Sequence, residues 1–278
     1  MNRTPPSRSP VAPALFRRLE RVGRLLEAKG LVCATDGNLS LRDGPAGIVI
    51  TAAGSHKGEL RPEDVLRVDR TGVVYWGTKP PSSETAMHLV IYEKRPDVEA
   101  VVHAHPPVAT AYAVTATPLE TRAMPESFLT LGRVAQVPYA TPGTEDLPMA
   151  LEPFLGRHEV FLLSNHGAVT VGKSLEEAYD QMTRLEHAAR ILFLSRLLGE
   201  VEPLAESDLS RLSALQASTP DRHGEPGPGN AYAAADRSRF GAYAGGVEGG
   251  TVDAPPELAR LIAQIVSRRL AGEGGRTG

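Results

Sequence analysis

The 278-residue chain has little cysteine, little net charge and no long hydrophobic run. Its one cysteine, Cys33, excludes an intrachain disulfide framework and cannot by itself form a thiolate metal site, which suits a reducing compartment. A formal net charge of −3 gives no reason to expect nucleic acid or an anionic membrane surface as a partner. No apolar run approaches the roughly 20 residues that cross a bilayer. We therefore expect a cytoplasmic protein without nucleic-acid or membrane partners.

The two ends of the chain differ in composition from its centre. The N-terminal residues lack the apolar segment of a secretory signal, and we expect residues 1–11 to form a flexible arm. The length and the 41% hydrophobic and 23% charged residues suit one large domain, which we assign to residues 12–200. Residues 201–278 are predicted to form an extension, because 218–256 are rich in glycine and proline and 255–270 have the pattern of an amphipathic helix.

Helix and strand patterns alternate through the central part of the chain. Apolar residues at helical spacing, glycine and proline stops and a serine cap predict helices at 12–29, 84–95, 107–114, 145–155 and 175–198. Short β-branched and apolar runs predict strands at 47–51, 65–69, 73–76, 98–102, 134–138, 160–163 and 168–171. The last two strands form a hairpin, and its tip carries His166 beside a glycine.

Two histidines at the end of an apolar run carry the strongest chemical signal. His103 and His105 follow the run at 98–102, and the alternation of side chains along an extended strand places both on one face. Two imidazoles on one face can share a metal ion, and His166 offers a third ligand. Zinc accepts three imidazole nitrogens and keeps a fourth position for water, a carboxylate or substrate. Such a metal polarises a carbonyl, while Glu84 is a candidate to move the proton.

Small and hydroxyl residues upstream form a second pattern that favours an anion. Asn38 follows a glycine, and Gly54 lies in a small-residue loop, 52–58, where backbone amides can approach a charged ligand. Ser82 and Ser83 precede a predicted helix, whose free amides and dipole favour a phosphate. Ordinary turns and serine N-capping are the structural alternatives.

Three further residues near these loops have less specific patterns. His56 and Lys57 follow Gly54 and either assist an anionic ligand or simply solvate a bend. His88 lies one helical turn after Glu84, and we interpret it as a packed or hydrogen-bonded histidine rather than a ligand.

Taken together, the motifs resemble the class II aldolase/adducin family, which includes L-fuculose-1-phosphate aldolase and L-ribulose-5-phosphate 4-epimerase. The matching segments are G-N-L-S-L-R (37–42), I-T-A-A-G (50–54), P-S-S-E-T (81–85), V-V-H-A-H-P (101–106), P-Y-A-T-P-G-T (138–144) and N-H-G-A-V-T-V-G (165–172). Their order and spacing agree from about residue 12 to 198. The resemblance implies an α/β fold, a three-layer α/β/α domain around a mostly antiparallel central sheet. It also implies a homotetramer with active sites between subunits.

The resemblance also implies a role for each matching residue. The metal ligands and the catalytic acid/base would be His103, His105, His166 and Glu84. The positions that hold a substrate phosphate would be Asn38, Gly54, Ser82 and Ser83. Zn²⁺ is the expected cofactor, with Mn²⁺ or Co²⁺ as alternatives for a three-histidine site. The implied function is a metal-dependent class II aldolase-type lyase, acting on a phosphorylated sugar or related ketone through a metal-stabilised enediolate.

Several positions depart from the aldolase pattern. Ala53 stands where the fuculose aldolases carry a hydroxyl residue, and Glu126 stands near the position of a family tyrosine that donates a proton. Tyr232 and Tyr243 are candidates for a second tyrosine. These departures keep a decarboxylase, dehydratase or epimerase open as alternatives, although Glu84 favours the aldolases because the epimerases carry aspartate there. A non-catalytic adducin-like interaction protein is disfavoured, because all three ligands and the glutamate are present.

Overall fold

The computed structural model describes residues 10–44 and 47–218. Nearly all of the predicted arm, the glycine-rich segment beyond residue 218, the helix predicted at 255–270, Tyr232 and Tyr243 lie outside the described residues. None of the described helices combines the length and hydropathy needed to cross a membrane. The domain boundaries at residues 12 and 200 stay predictions.

The described helices and strands mostly follow the order that the sequence patterns predict. A strand at Asn38–Asp43 is an addition, because the sequence predicts only a turn after Gly37. The α-helices are α1 (Pro13–Ala28), α2 (Thr85–Lys94), α3 (Pro107–Thr115), α4 (Pro125–Leu131), α5 (Asp146–Leu151), α6 (Leu175–Leu198) and α7 (Glu206–Ser218). The strands are β1 (Asn38–Asp43), β2 (Gly47–Thr51), β3 (Val65–Asp69), β4 (Val74–Trp76), β5 (Ala100–Ala104), β6 (Val134–Val137), β7 (Val160–Leu163) and β8 (Gly167–Gly172).

The strands form one sheet in the order β4-β3-β2-β1-β5-β8-β7-β6. Every pair in that sheet is antiparallel except β6 and β7, which run parallel. The predicted mostly antiparallel sheet is therefore confirmed. β5, which carries His103, lies near the middle between β1 and β8.

Two hydrophobic clusters show that helices cover both faces of the sheet. One cluster joins α1, α3 and α6 to one face through residues such as Leu26, Ala109 and Leu185. The other joins α2 and α5 to the opposite face through residues such as Ile91 and Leu151. Since a sheet that is apolar on both faces must be covered on both, this is the three-layer α/β/α arrangement that the resemblance implies.

The alternation of side chains along β5 determines which layer His103 enters. Val102 belongs to the cluster beneath α1, α3 and α6, whereas Val101 belongs to the cluster beneath α2 and α5. His103 lies two residues after Val101, so it shares the face that α2 covers. Glu84 is the N-cap residue of α2, and this packing brings it towards the strand that carries His103.

Two described helices, α4 and α7, were not predicted. α4 has seven residues and begins at Pro125, so it is too short to show a clear helical period. The helix predicted at 145–155 is shorter than expected, because α5 ends at Leu151 and continues as a single 3₁₀ turn, Glu152–Phe154.

Glu186 of α6 fixes the start of the helix that follows the histidine pair. Its side chain is 3% exposed and accepts hydrogen bonds from the backbone amides of Val108 and Ala109 at 3.0 Å. These amides belong to the first turn of α3, where helical donors have no partner within the helix. Arg190 pairs with the same carboxylate at 2.8 Å. The segment immediately after His105 is therefore anchored to the longest described helix.

Candidate metal centre and substrate cavity

Sheet pairing and one tight turn bring three distant histidines together. His103 is the last residue but one of β5, where it is paired with Val169 of β8. His166 lies in the turn that joins β7 to β8, and its backbone amide donates to the carbonyl of Leu163 at 3.0 Å. Asn165 adopts a positive φ of 56° to close this turn. Since β8 pairs with β5, the turn places His166 beside the end of the histidine strand.

His105 lies just beyond β5, so the expectation that one strand carries both histidines is wrong. β5 ends at Ala104, and the backbone amide of His105 donates instead to the carbonyl of Leu31 at 3.0 Å. Two prolines follow, and proline has no amide hydrogen with which to continue a ladder. The two rings nevertheless lie side by side, with their centroids 5.0 Å apart.

The Nε2 atoms of the three histidines converge around one carboxylate. Nε2 of His103 lies 3.3 Å from Nε2 of His105 and 3.2 Å from Oε2 of Glu84. The other carboxylate oxygen, Oε1, lies 3.2 Å from Nε2 of His166. One nitrogen from each of the three imidazoles falls within 4.8 Å of the others. This is the spacing of ligands that share one ion.

The remaining nitrogens of the rings have different environments. Nδ1 of His103 lies 2.9 Å from the carbonyl of Ala168, and Nδ1 of His105 lies 3.5 Å from Oδ2 of Asp36. Nδ1 of His166 is buried and has no hydrogen-bond partner among the described residues. A carbonyl or carboxylate behind a ligand imidazole orients the ring and leaves Nε2 for the metal. No sequence motif points to Asp36, because only tertiary packing brings its loop to His105.

The protonation of the imidazoles fits a metal site. Burial lowers the pKa of His166 to about 4, and burial, with the ring of His103 beside it, lowers the pKa of His105. Both rings are therefore neutral near pH 7, and neutral imidazole is the form that binds a metal. Three imidazoles with a carboxylate beside them are a donor set suited to a borderline divalent cation.

Glu84 is an ionised carboxylate held in a buried position. It is 8% exposed, and its Oε2 accepts a hydrogen bond of 2.7 Å from Nδ2 of Asn38. Burial alone would raise the pKa of Glu84, but the imidazoles of His103 and His166 and the hydrogen bond from Asn38 hold it well below its usual range. The carboxylate is thus available to accept a proton at neutral pH.

A buried chain of polar side chains orients Asn38. Its backbone pairs with His103 across β1 and β5, and its Oδ1 is bonded to Nε2 of His88. Nδ1 of His88 is bonded in turn to Oγ of Ser40 at 2.6 Å. Burial lowers the pKa of His88 to about 3, so the ring is neutral. The prediction that His88 is a packed or hydrogen-bonded histidine is confirmed by these contacts.

One cavity of about 260 Å³ adjoins this centre. Its wall includes the four residues predicted to hold a phosphate, Asn38, Gly54, Ser82 and Ser83, and also Glu84, His105, His166 and Lys57. The structure thus brings both predicted sets of residues to one place. Glu126 lies outside this wall, on the exposed first turn of α4.

The Ser82 hydroxyl is placed to donate a hydrogen bond rather than to cap a helix. Its Oγ accepts hydrogen bonds from Nδ2 of Asn38 at 3.1 Å and from the amide of Glu84 at 3.3 Å. Because that oxygen already accepts twice, its own proton is left for another acceptor. α2 begins only at Thr85, and its N-cap residue, Glu84, makes no side-chain cap, so serine N-capping does not explain Ser82. Ser83 is exposed at the cavity.

Gly167 leaves room for the ring of His105, so a larger residue at this position should disturb the metal centre. A Cβ atom added at Gly167 would overlap the ring of His105 and lie 2.7 Å from the carbonyl oxygen of Ala104. We expect Gly167→Ala to displace the ring and weaken metal affinity roughly 10–100-fold, the usual range for disturbing the support of a ligand. Gly156→Ala is the matched control, because nothing lies within 4 Å of its added Cβ. Competition with a chromophoric chelator measures both, and equal affinities would contradict the expectation.

The fold and this centre together define an α/β protein with a three-histidine site at the end of β5, an inner strand of a mostly antiparallel sheet. Residues 17–193 match the family model described as the class II aldolase and adducin N-terminal domain. The chain belongs to the class II aldolase and adducin family.

Relatives within the family catalyse several reactions. A methylthioribulose-1-phosphate dehydratase from Methylococcus capsulatus is 35% identical over 183 residues, which cover 61% of this chain and 88% of the relative. A 3-oxo-tetronate 4-phosphate decarboxylase from Pectobacterium atrosepticum is 34% identical over 200 residues, or 69% of this chain and 89% of the relative. The solved structure of an L-fuculose 1-phosphate aldolase has a TM-score of 0.67 and 30% identity, covering 74% of this chain and 97% of that one. These enzymes are lyases, and this chain is a metal-dependent lyase of the same family.

Proposed function

We propose that this protein cleaves or forms a carbon–carbon bond next to a ketone, in a phosphorylated sugar or a related ketone. His103, His105 and His166 would hold the metal, and Glu84 would act as acid/base. The observation that carries this proposal is the convergence of three imidazole Nε2 atoms and one carboxylate beside a single cavity.

The donor set favours Zn²⁺, with Mn²⁺ and Co²⁺ as alternatives. Three imidazole nitrogens and an adjacent carboxylate suit a borderline cation, and availability decides among several such metals. A bound divalent cation supplies Lewis-acid stabilisation of negative charge that develops next to a carbonyl.

Glu84 would move the proton on the carbon next to that carbonyl. Its low pKa keeps it ionised, and Asn38 and the two imidazoles hold its oxygens in a defined orientation. A positioned carboxylate near the reacting carbon serves as base in one direction and as acid in the other.

The serine and glycine residues that line the same cavity would hold the phosphate. The Ser82 hydroxyl has a proton to donate, and Ser83 and Gly54 lie beside it. The names of the three relatives above each describe a phosphorylated substrate, which supports the same class of ligand here.

A decarboxylase or dehydratase on the same centre is the second candidate function. Ala53, which lines the cavity beside Gly54, and Glu126 in α4 depart from the aldolase pattern. The dehydratase and decarboxylase relatives support this candidate as well. Both reactions also need charge stabilisation beside a carbonyl.

A metal analysis coupled to a substrate panel tests the proposal. Elemental analysis should find about one divalent cation per chain, as one three-histidine centre predicts. Ketose 1-phosphates should release dihydroxyacetone phosphate, detected by a coupled dehydrogenase assay. Release of CO₂ from phosphorylated keto acids, or loss of water from the ketose, would instead favour the second candidate. A folded protein that binds no divalent metal would contradict both.

We also propose two properties that rest on the sequence and on the family resemblance alone. One is a homotetramer with active sites between subunits. The other is a cytoplasmic location, which the single cysteine and the low net charge favour.

A further inference from the structure

Lys57 is a buried lysine at the wall of the substrate cavity. Only 1% of its surface is exposed, although lysine is among the residues least often buried. Its backbone is held against α1, because a Cβ atom added at Gly23 would overlap the carbonyl oxygen of Lys57. The side chain extends from there towards the cavity, where it lines the wall together with Asn38, Gly54 and Ser82.

The ammonium group of Lys57 has only neutral acceptors within the described part of the chain. Its Nζ donates to the carbonyl oxygens of Thr35 and Ser55, each at 2.6 Å. An ammonium has three hydrogens, so these two bonds leave one for another acceptor. Burial of a cation without a carboxylate in contact is costly, and such groups concentrate at functional sites.

The charges around Lys57 are acidic but lie farther away. Asp36, Asp64 and Glu84 attract its proton from a distance, and the Glu27 carboxylate lies against the neighbouring Gly58. Burial outweighs this attraction and lowers the pKa of Lys57 to about 8. The group is therefore mostly charged at pH 7 and loses its charge in mildly alkaline solution.

Two carbonyl contacts alone do not require a positive charge. A neutral donor of similar length would join the Thr35 and Ser55 loops equally well and would cost less to bury. An anion in the cavity that Lys57 lines would be attracted by the ammonium charge and would offset the cost of burying it. Ala53 lacks the hydroxyl group that the aldolase pattern places in the same loop, and a charged donor offsets that loss.

We propose that Lys57 determines specificity for the anionic end of the substrate, a phosphate monoester, by placing an ammonium charge behind the cradle of Gly54 and Ser82. This inference rests on the proposed function, because it uses the same cavity. It adds a charged recognition group that the motif residues Asn38, Gly54, Ser82 and Ser83 do not provide. Lys57 contacts the anion and takes no part in the proton transfer.

Titration calorimetry of the metal-loaded protein with sodium sulfate, at constant ionic strength, tests this role. Sulfate resembles the phosphate group but keeps its charge throughout the working pH range. At pH 7, Lys57→Met should weaken sulfate binding at least about tenfold, a typical effect of removing a charged hydrogen bond. Its metal content should equal that of the unmodified protein. Lys94→Met removes a surface lysine paired with Glu152 and should leave sulfate affinity unchanged.

The pH profile separates a role for the charge from a purely structural link between two loops. In the unmodified protein, sulfate affinity should fall as the pH rises through about 8, since Lys57 then loses its proton. Lys57→Met should abolish that inflection.

A flat profile in the unmodified protein, or undiminished sulfate binding by a folded Lys57→Met variant, would overturn the proposal. The first measurement needs no variant, so misfolding of Lys57→Met cannot leave the question open. Failure of the proposed function would show differently, as missing metal or missing turnover in the unmodified protein.

Discussion

His103→Ala is expected to remove both metal binding and turnover. His103 is fully buried, and its Nε2 lies at the centre of the cluster, within 3.3 Å of His105 and 3.2 Å of Glu84. Its loss leaves two imidazoles, and a catalytic zinc centre typically needs three protein ligands. Elemental analysis should find far less than one metal ion per chain, and kcat/KM should fall by several orders of magnitude.

Two further variants make this result interpretable. His187→Ala is the matched control, because His187 is an exposed histidine on α6 and should keep full metal content and turnover. His103→Ala leaves a cavity in the core and can impair folding. His105→Ala is the second test of the same cluster, because the side chain of His105 is 28% exposed and its removal disturbs packing less. Wild-type turnover by a metal-free His105→Ala protein would refute the role assigned to the cluster.

Glu84→Gln is expected to abolish most turnover while the metal stays bound. The amide has nearly the same shape as the carboxylate but does not accept and return a proton at neutral pH. General acid–base catalysis by one side chain contributes roughly 10²–10⁴-fold, and kcat should fall by about that factor. The three imidazoles remain, so elemental analysis should still find the metal.

A matched substitution at a surface glutamate, together with thermal unfolding, separates loss of proton transfer by Glu84 from loss of folding. Glu152→Gln disrupts an exposed ion pair with Lys94 and should change neither kcat nor metal content. Thermal unfolding should show that Glu84→Gln is folded at the assay temperature. A kcat within about threefold of the unmodified protein would mean that another group moves the proton, and the role proposed for Glu84 would be lost.

The sequence predicted most of the fold because its signals are local. Strands at 47–51, 65–69 and 160–163 were predicted with the bounds that the structure has, since short β-branched runs between turn residues are typical of strands. α4 was missed because seven residues after Pro125 show too little periodicity. His105 was placed in the strand because alternation ignores the bond from its amide to Leu31, a contact made between distant segments.

Sequence by itself determined the kind of site. Three histidines, a glutamate and two serines in motifs of fixed order indicate a metal, a proton-transfer group and an anion, because each residue type has a limited chemistry. These identities hold wherever the chain places the residues. The resemblance to the class II aldolase/adducin family could likewise be drawn from the motifs alone, and the family match confirms it.

Only the tertiary structure decided how those residues meet. The register of β1 against β5 sets Asn38 opposite His103, the pairing of β5 with β8 brings in His166, and the packing of α2 supplies Glu84. The burial of Lys57 with carbonyl oxygens rather than a described carboxylate in contact likewise depends on α1 and on the Thr35 loop. Sheet register and helix packing are contacts between segments far apart in the chain, and local patterns do not encode such distances.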